Sequence, residues 1–236
     1  MLGIRLPVRK KSSDEAEKPF WISFSDLMSA LMVLFMVAMT VVLLAVTQEI
    51  SKEEKEKAQR EEEIDALMGQ IREATQDFPG ISVSGRVVDF GDRARFDTNS
   101  HHLSGDQSLL LREVVLKILQ VAGDPLGQKW LKRVVVEGFA DRRGTYLHNL
   151  NLSLQRSQRV MCVLLAPETN DALLNDADMR LVRELFMMGG SSFNGFKDSL
   201  DESRRIELRL EFLDIGEQRP STRDLPLDEK PRCPLN

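Results

Sequence analysis

Residues 20–46 read FWISFSDLMSALMVLFMVAMTVVLLAV, an apolar run of 27 residues whose only ionisable group is Asp26. As a helix the run is roughly 40 Å long, more than the ~30 Å that a hydrocarbon core requires. A buried helix of a soluble domain is the alternative, but the length of the run and its all-round hydrophobicity argue against it. A backbone in lipid must satisfy its own hydrogen bonds, so the spacing and length predict one transmembrane helix. A charged carboxylate in such a helix costs about 3 kcal/mol on insertion scales. Asp26 therefore needs a water-filled cavity, a partner or a proton, unless it sits close enough to the headgroups to stay wet.

Side chains three and four apart share a helix face. Ile22, Ser29, Ala30, Val33, Val37 and Val41 thus line up with Asp26. Ser25, Ser29 and Ala30 are small enough for a second helix to come close. Ser25 and Ser29 are also the polar neighbours that would hydrogen-bond the charged acid or admit water. Phe20 and Trp21 stand at one end as interfacial anchors. The run Trp21-Ile22-Ser23-Phe24-Ser25-Asp26-Leu27-Met28-Ser29-Ala30 resembles the transmembrane helix of the MotB family, the ion-conducting stator subunits of bacterial motors. That resemblance implies that Asp26 carries the ion.

The chain has 236 residues and a formal charge of −5. A weakly acidic balance and a single Tyr do not favour nucleic-acid binding. Two cysteines, Cys162 and Cys233, do not make a disulfide framework. Cys162 lies in an apolar helical run and reads as a small core residue, and Cys233 lies in a Pro-rich tail. A bond between them is left open for an oxidising compartment. The apolar run is too long for a signal-peptide core and lacks a small-residue cleavage site, so it is expected to stay as an anchor. Residues 1–18 hold five Lys/Arg and residues 49–66 hold four, so the charge rule orients the helix only weakly. The family resemblance implies a cytoplasmic N-terminus and a periplasmic C-terminal domain.

Residues 1–19 read as a cytoplasmic tail and 47–78 as a charged helical linker. Ile50, Ile64 and Ile71 share one heptad position, with Leu67 or Met68 at another, which predicts pairing with a second copy in the linker's latter half. Residues 47–60 offer only Ile50 and Ala58 as apolar side chains, too few for the amphipathic plug helix of the MotB family. Beyond Phe78-Pro79-Gly80 the pattern predicts a strand at Val83–Phe90 and a helix at Gln107–Ala122, ended by the Gly123–Gly127 segment. Further on it predicts a strand at Lys132–Gly138, helices at Asn149–Leu165 and Ala172–Glu184, and an alternating strand at Ile206–Phe212. The expected fold class is α+β: one N-terminal transmembrane helix, a helical linker, and a βαβ layered domain over 79–215. A loose tail at 216–236 follows.

The densest local signal is Gly138-Phe139-Ala140-Asp141-Arg142-Arg143-Gly144. It is followed by Asn149-Leu150-Asn151-Leu152-Ser153-Leu154-Gln155-Arg156-Ser157 and, later, Ser203-Arg204-Arg205-Ile206-Glu207. Asp141 leaves a buried strand, and Arg156 lies on the next helix. A ligand with an ammonium and a carboxylate could bridge them, since a guanidinium presents two parallel donors to a carboxylate. Mutual pairing of Asp141 and Arg156, worth about 0–1 kcal/mol at a surface, is the simpler account of the two residues alone.

The three motifs, in this order, resemble the OmpA-like peptidoglycan-binding domain. Phe139 and Ala140 depart from its usual His and Thr, and Ser203 from its usual Asn. The resemblance implies that Asp141 and Arg156 hold the diaminopimelate of peptidoglycan peptides, with Asn149 beside them and Arg205 in the third motif. His101, His102 and His148 lack metal-ligand spacing and read as solvated loop residues. No metal or other cofactor is expected, and no nucleophile elbow, phosphate loop or other enzyme motif is present.

Finally, Ser13-Asp14-Glu15-Ala16-Glu17-Lys18-Pro19-Phe20-Trp21-Ile22-Ser23 resembles the lead-in of the ZorB family, the stator-type subunits of Zorya antiphage defence. This implies a ZorA/MotA-like multi-span partner, a dimer of this chain, and an inner-membrane motor driven by ion flow. A flagellar stator subunit and a structural peptidoglycan tether without ion flow are the alternatives.

Overall fold

The computed structural model describes residues 14–166, 174–219 and 232–235, with side chains from Trp21 onward except Ile22. The expected N-terminal tail up to residue 13 and most of the loose C-terminal tail (220–231 and 236) lie outside the described residues. So do the side chains of Phe20 and Ile22, as well as residues 172–173 of the expected third helix. The chain divides into two compact units, residues 1–57 and 58–236.

One helix, α1 (Asp14–Thr75), takes in both the apolar run and the expected linker. Leu, Met, Ala, Glu and Lys dominate it, all strong helix formers. In the first unit its described side chains, Trp21 and residues 23–57, are all exposed, including Leu34, Phe35 and Asp26. The helix is long and apolar enough to cross a membrane. Two of its hydroxyls are satisfied within the helix: Thr40 Oγ1 donates to the Met36 carbonyl at 2.7 Å and Thr47 Oγ1 to the Leu43 carbonyl at 2.8 Å.

The second unit begins inside α1. Ile64, Leu67, Met68 and Ile71 are all buried in its hydrophobic core. The seam expected to pair with a second copy is therefore already filled from within the chain. Polar contacts fix the docking. Arg60 Nε donates to the Leu213 carbonyl at 2.8 Å, and Trp130 Nε1 donates to Glu63 at 2.6 Å. The heptad spacing reported an apolar stripe correctly, but a stripe does not say what covers it.

The sheet has five strands: β1 (Ser82–Ser84), β2 (Val87–Asp89), β3 (Leu131–Gly138), β4 (Phe186–Gly190) and β5 (Ile206–Phe212). Their spatial order is β1-β2-β5-β3-β4. Only β3 and β4 run parallel. A parallel pair needs a crossover. Here it carries α4 (Tyr146–Leu165) and α5 (Asp176–Leu185). The single strand expected at Val83–Phe90 is instead a hairpin, because Ser84 pairs with Val87 across a turn at Gly85-Arg86.

Helix α2 (Gly105–Gly123) opens on a capping box between Ser104 and Gln107 and packs against α4 and α5. A short α3 (Pro125–Trp130) occupies part of the segment expected to be a plain turn. Pro125 suits the first helical turn, where no amide hydrogen is needed. A last short helix, α6 (Leu200–Ser203), precedes β5. In β5, Ile206, Leu208, Leu210 and Phe212 face the core. Cys162 and Cys233 are joined in a disulfide with Cα atoms 5.2 Å apart, so Cys162 is more than a core filler.

Candidate ligand-binding site

The site forms where β3 gives way to the loop before α4. A Cβ on Gly138 would run into the Ser153 carbonyl, so this position lets α4 lie directly on the strand end. The chain beyond is held on both sides. Phe139 N donates to the Arg205 carbonyl at 3.1 Å and Ala140 N to the Ser192 carbonyl at 2.8 Å. Phe139, at the position of the family's His, is buried and stacks on the Arg205 guanidinium at 4.0 Å. Gly144 turns the loop with φ +96°, a conformation that side chains disfavour. Thr145 then caps α4, its Oγ1 accepting from His148 N.

Asp141 is buried, and both of its oxygens are occupied. Oδ1 accepts from Arg143 N at 3.0 Å and Arg143 Nε at 3.2 Å. Oδ2 accepts from Arg143 Nη2 at 2.8 Å and Arg204 Nη1 at 3.2 Å. Burial, the largest single influence, would raise this carboxyl. The hydrogen bonds from the Arg143 side chain and backbone, with that from Arg204, together outweigh it and hold the group at about 2.

Arg156 is fully buried and does not pair with Asp141. Its Nε, Nη1 and Nη2 donate to the carbonyls of Ser100 at 2.9 Å, Phe139 at 2.6 Å and Asp97 at 3.1 Å. The Phe96 ring lies 4.9 Å from the guanidinium. Burial pushes Arg156 down to about 10, Arg204 adds to that, and Asp141 pulls the other way, so the group stays charged at neutral pH. Asn149 is buried in the first turn of α4, and its Nδ2 donates to the Arg143 carbonyl at 2.8 Å.

These groups open on a cavity of roughly 230 Å³ lined by Thr98, Asn99, Asp141, Arg143, Gly144, His148, Asn149, Leu152 and Arg156. Of the sequence-derived candidates, Asp141, Asn149 and Arg156 come together there. Arg205 does not: it is turned to Glu207 at 2.6 Å and to the Gly195 carbonyl at 2.9 Å. Its neighbour Arg204 reaches the acid instead. His148 also departs from expectation, since it sits on α4 at the cavity wall, with Nε2 2.8 Å from Asn99 Oδ1. Arg143, Arg204, Thr98 and Asn99 were not singled out beforehand. Only Arg143 and Arg204 carried a signal, as part of the motifs. Among the described residues no His, Cys, Asp and Glu cluster could hold a metal ion.

Asp26, Ser25 and Ser29 lie in the first unit, where all three side chains are exposed. Asp26 and Ser29 share a face about one turn apart. Among the described residues nothing shields the acid.

No family model matches the chain. The Zorya protein ZorB of Escherichia coli O139:H28 (strain E24377A / ETEC) is 39% identical over 242 residues, which covers 100% of this chain and 98% of that protein. Among solved structures, the periplasmic domain of MotB is 15% identical with a TM-score of 0.39, covering 57% of this chain and 68% of its own. The cell wall anchor of the T6SS from Pseudomonas aeruginosa is 18% identical with a TM-score of 0.39, covering 60% and 96%. The OmpA-like domain of FopA1 from Francisella tularensis subsp. tularensis SCHU S4 is 17% identical with a TM-score of 0.36, covering 57% and 82%.

Proposed function

The chain belongs to the ZorB family, and from that membership we propose that it is a peptidoglycan-anchored, ion-conducting stator subunit of an inner-membrane motor acting in antiphage defence. One observation carries the reading. A single chain joins a helix whose apolar run, residues 20–46, bears one acid to a separate folded unit whose cavity gathers Asp141, Asn149 and Arg156. The helix spans the inner membrane once, with the N-terminus in the cytoplasm. The disulfide supports an extracytoplasmic second unit, because such bonds persist in oxidising compartments.

Asp26 takes up and releases the ion, and Ser25 and Ser29 line its path. Each charge crossing the membrane releases about 2.3 kcal/mol per 100 mV. A carboxylate alternating between neutral and charged forms couples that release to how α1 packs on a ZorA/MotA-like multi-span partner. One helix cannot enclose a pathway, so the working unit is a dimer of this chain within that partner. Its contacts lie outside Ile64, Leu67, Met68 and Ile71, which the chain's own core has taken. In the second unit, Asp141 receives the ammonium of a diaminopimelate-type wall peptide. Arg156 and Asn149 shape the loop that presents it, and Arg205 braces Phe139 behind it.

The test is a phage-plating assay with the complete gene set. Asp26→Asn keeps the size of the side chain and removes its titration. It should assemble with the partner at wild-type abundance and fail to protect. If Asp26→Asn protects as well as wild type at equal membrane levels, the motor reading fails and a tether without ion flow takes its place.

A further inference from the structure

We propose that Arg143 recognises the carboxylate of the ligand by exchanging partners: it covers Asp141 in the free protein and turns to the ligand's carboxylate when an ammonium takes Asp141. The inference rests on the wall-peptide reading of the cavity.

A carboxylate offers about four lone-pair sites. At Asp141 all are filled, by Arg143 N, Nε and Nη2 and by Arg204 Nη1. An incoming ammonium must therefore displace a donor. Arg204 is not free to leave. It is buried, its Nε donates to the Phe96 carbonyl at 2.9 Å, its Nη1 reaches the Leu200 carbonyl at 3.3 Å, and it pairs with Asp201. The Arg143 amide is fixed by the loop. The Arg143 side chain is different. It is 52% exposed, and beyond Asp141 it holds, among the described residues, only Thr98 Oγ1, at 3.1 Å.

Arg156 is poorly placed to greet an incoming carboxylate. It is fully buried, with each of its three nitrogens engaged by a backbone carbonyl. Arg143 lines the same cavity and, once displaced, carries an unpaired charge at its mouth. A ligand with both an ammonium and a carboxylate replaces one ion pair with two. A ligand with an ammonium alone strands the guanidinium. The exchange thus selects for ligands bearing both groups. A freed guanidinium can meet a carboxylate with two parallel bonds, which a point charge cannot.

The experiment measures binding of two soluble peptides to the full-length protein in detergent by calorimetry. The peptides are identical except that one carries diaminopimelate and the other lysine, which lacks the distal carboxylate. Wild type should prefer the diaminopimelate peptide by roughly tenfold, the value of one charge-assisted hydrogen bond. In Arg143→Gln the diaminopimelate peptide should weaken and the lysine peptide tighten, bringing the two within about twofold. Arg143→Lys should retain part of the preference, and Arg142→Gln, at an exposed neighbour outside the cavity lining, all of it. Preserved discrimination in Arg143→Gln overturns the inference. If Asp141→Asn still abolishes binding in that case, the wall-peptide reading survives alone. If Asp141→Asn binds as wild type, that reading fails, and this inference with it.

Discussion

Leu67→Ala separates two accounts of the same apolar stripe. Leu67 is fully buried within the second unit, between Ile64 and Ile71, which are buried as well. Removing its side chain loses the transfer free energy and leaves a cavity, a cost of about 2–5 kcal/mol for Leu→Ala in a packed core. For a unit the size of residues 58–236, 1 kcal/mol shifts the melting temperature by about 2–4 °C. A central cost of about 3 kcal/mol therefore predicts a fall of about 6–12 °C. Ile50 shares the heptad position of Ile64 and Ile71 but is half-exposed in the first unit, so Ile50→Ala should shift the melt by less than about 2 °C. The assay is a thermal melt of the full-length protein in detergent, followed by near-ultraviolet circular dichroism over a hundredfold concentration range. The fall for Leu67→Ala should be independent of concentration, because the seam is intramolecular. A wild-type melt for Leu67→Ala, or a loss that vanishes at high concentration, would refute the docking of α1 and restore an intermolecular seam.

Two further expectations concern the cavity. The Asp141 carboxyl is lowered from 3.8 to about 2 in the folded state. A depressed folded value contributes stability that is present in full above the unfolded value and is lost as pH falls through about 2. The gap in unfolding free energy between wild type and Asp141→Asn should thus shrink by up to ~2 kcal/mol from pH 6 to pH 2, read by urea titration, and a pH-independent gap would count against the network. Arg156→Ala strips hydrogen bonds from the Asp97, Ser100 and Phe139 carbonyls and should cost about 3–5 kcal/mol, where Asp141→Ala costs less. Both variants should fail to sediment with purified sacculi. Only Arg156→Ala should also lose near-ultraviolet ellipticity, and full retention by both would contradict the assignment.

Strict alternation placed β5 to the residue, because one buried face leaves a period-2 record in the sequence. Helices α2 and α4 were legible from their wide apolar faces and the turn residues around them. Strand β4, Phe-Met-Met-Gly-Gly, has no such record: it lies at the sheet edge, with both methionines exposed and its glycines against α4 or β3. The motifs located Asp141, Asn149 and Arg156, but not which guanidinium meets the acid. That choice depends on three segments far apart in the chain. Arg204 and Arg205 are adjacent, and at the start of a strand adjacent side chains point to opposite faces, so one reaches Asp141 and the other Glu207. The destination of the α1 stripe was equally undetermined, since a heptad packs as well on its own domain as on a second helix. The Cys162–Cys233 pairing needed the fold to bring the tail back to α4.

The central claim is that Asp26 carries ions across the membrane, and flux through the complex tests it most directly. Wild-type chain and its multi-span partner would be reconstituted together in liposomes with a membrane potential imposed and ion uptake followed by an entrapped indicator. The account predicts potential-driven uptake with wild type and none above protein-free liposomes with Asp26→Asn at equal incorporation. Uptake by Asp26→Asn at the wild-type rate would contradict it.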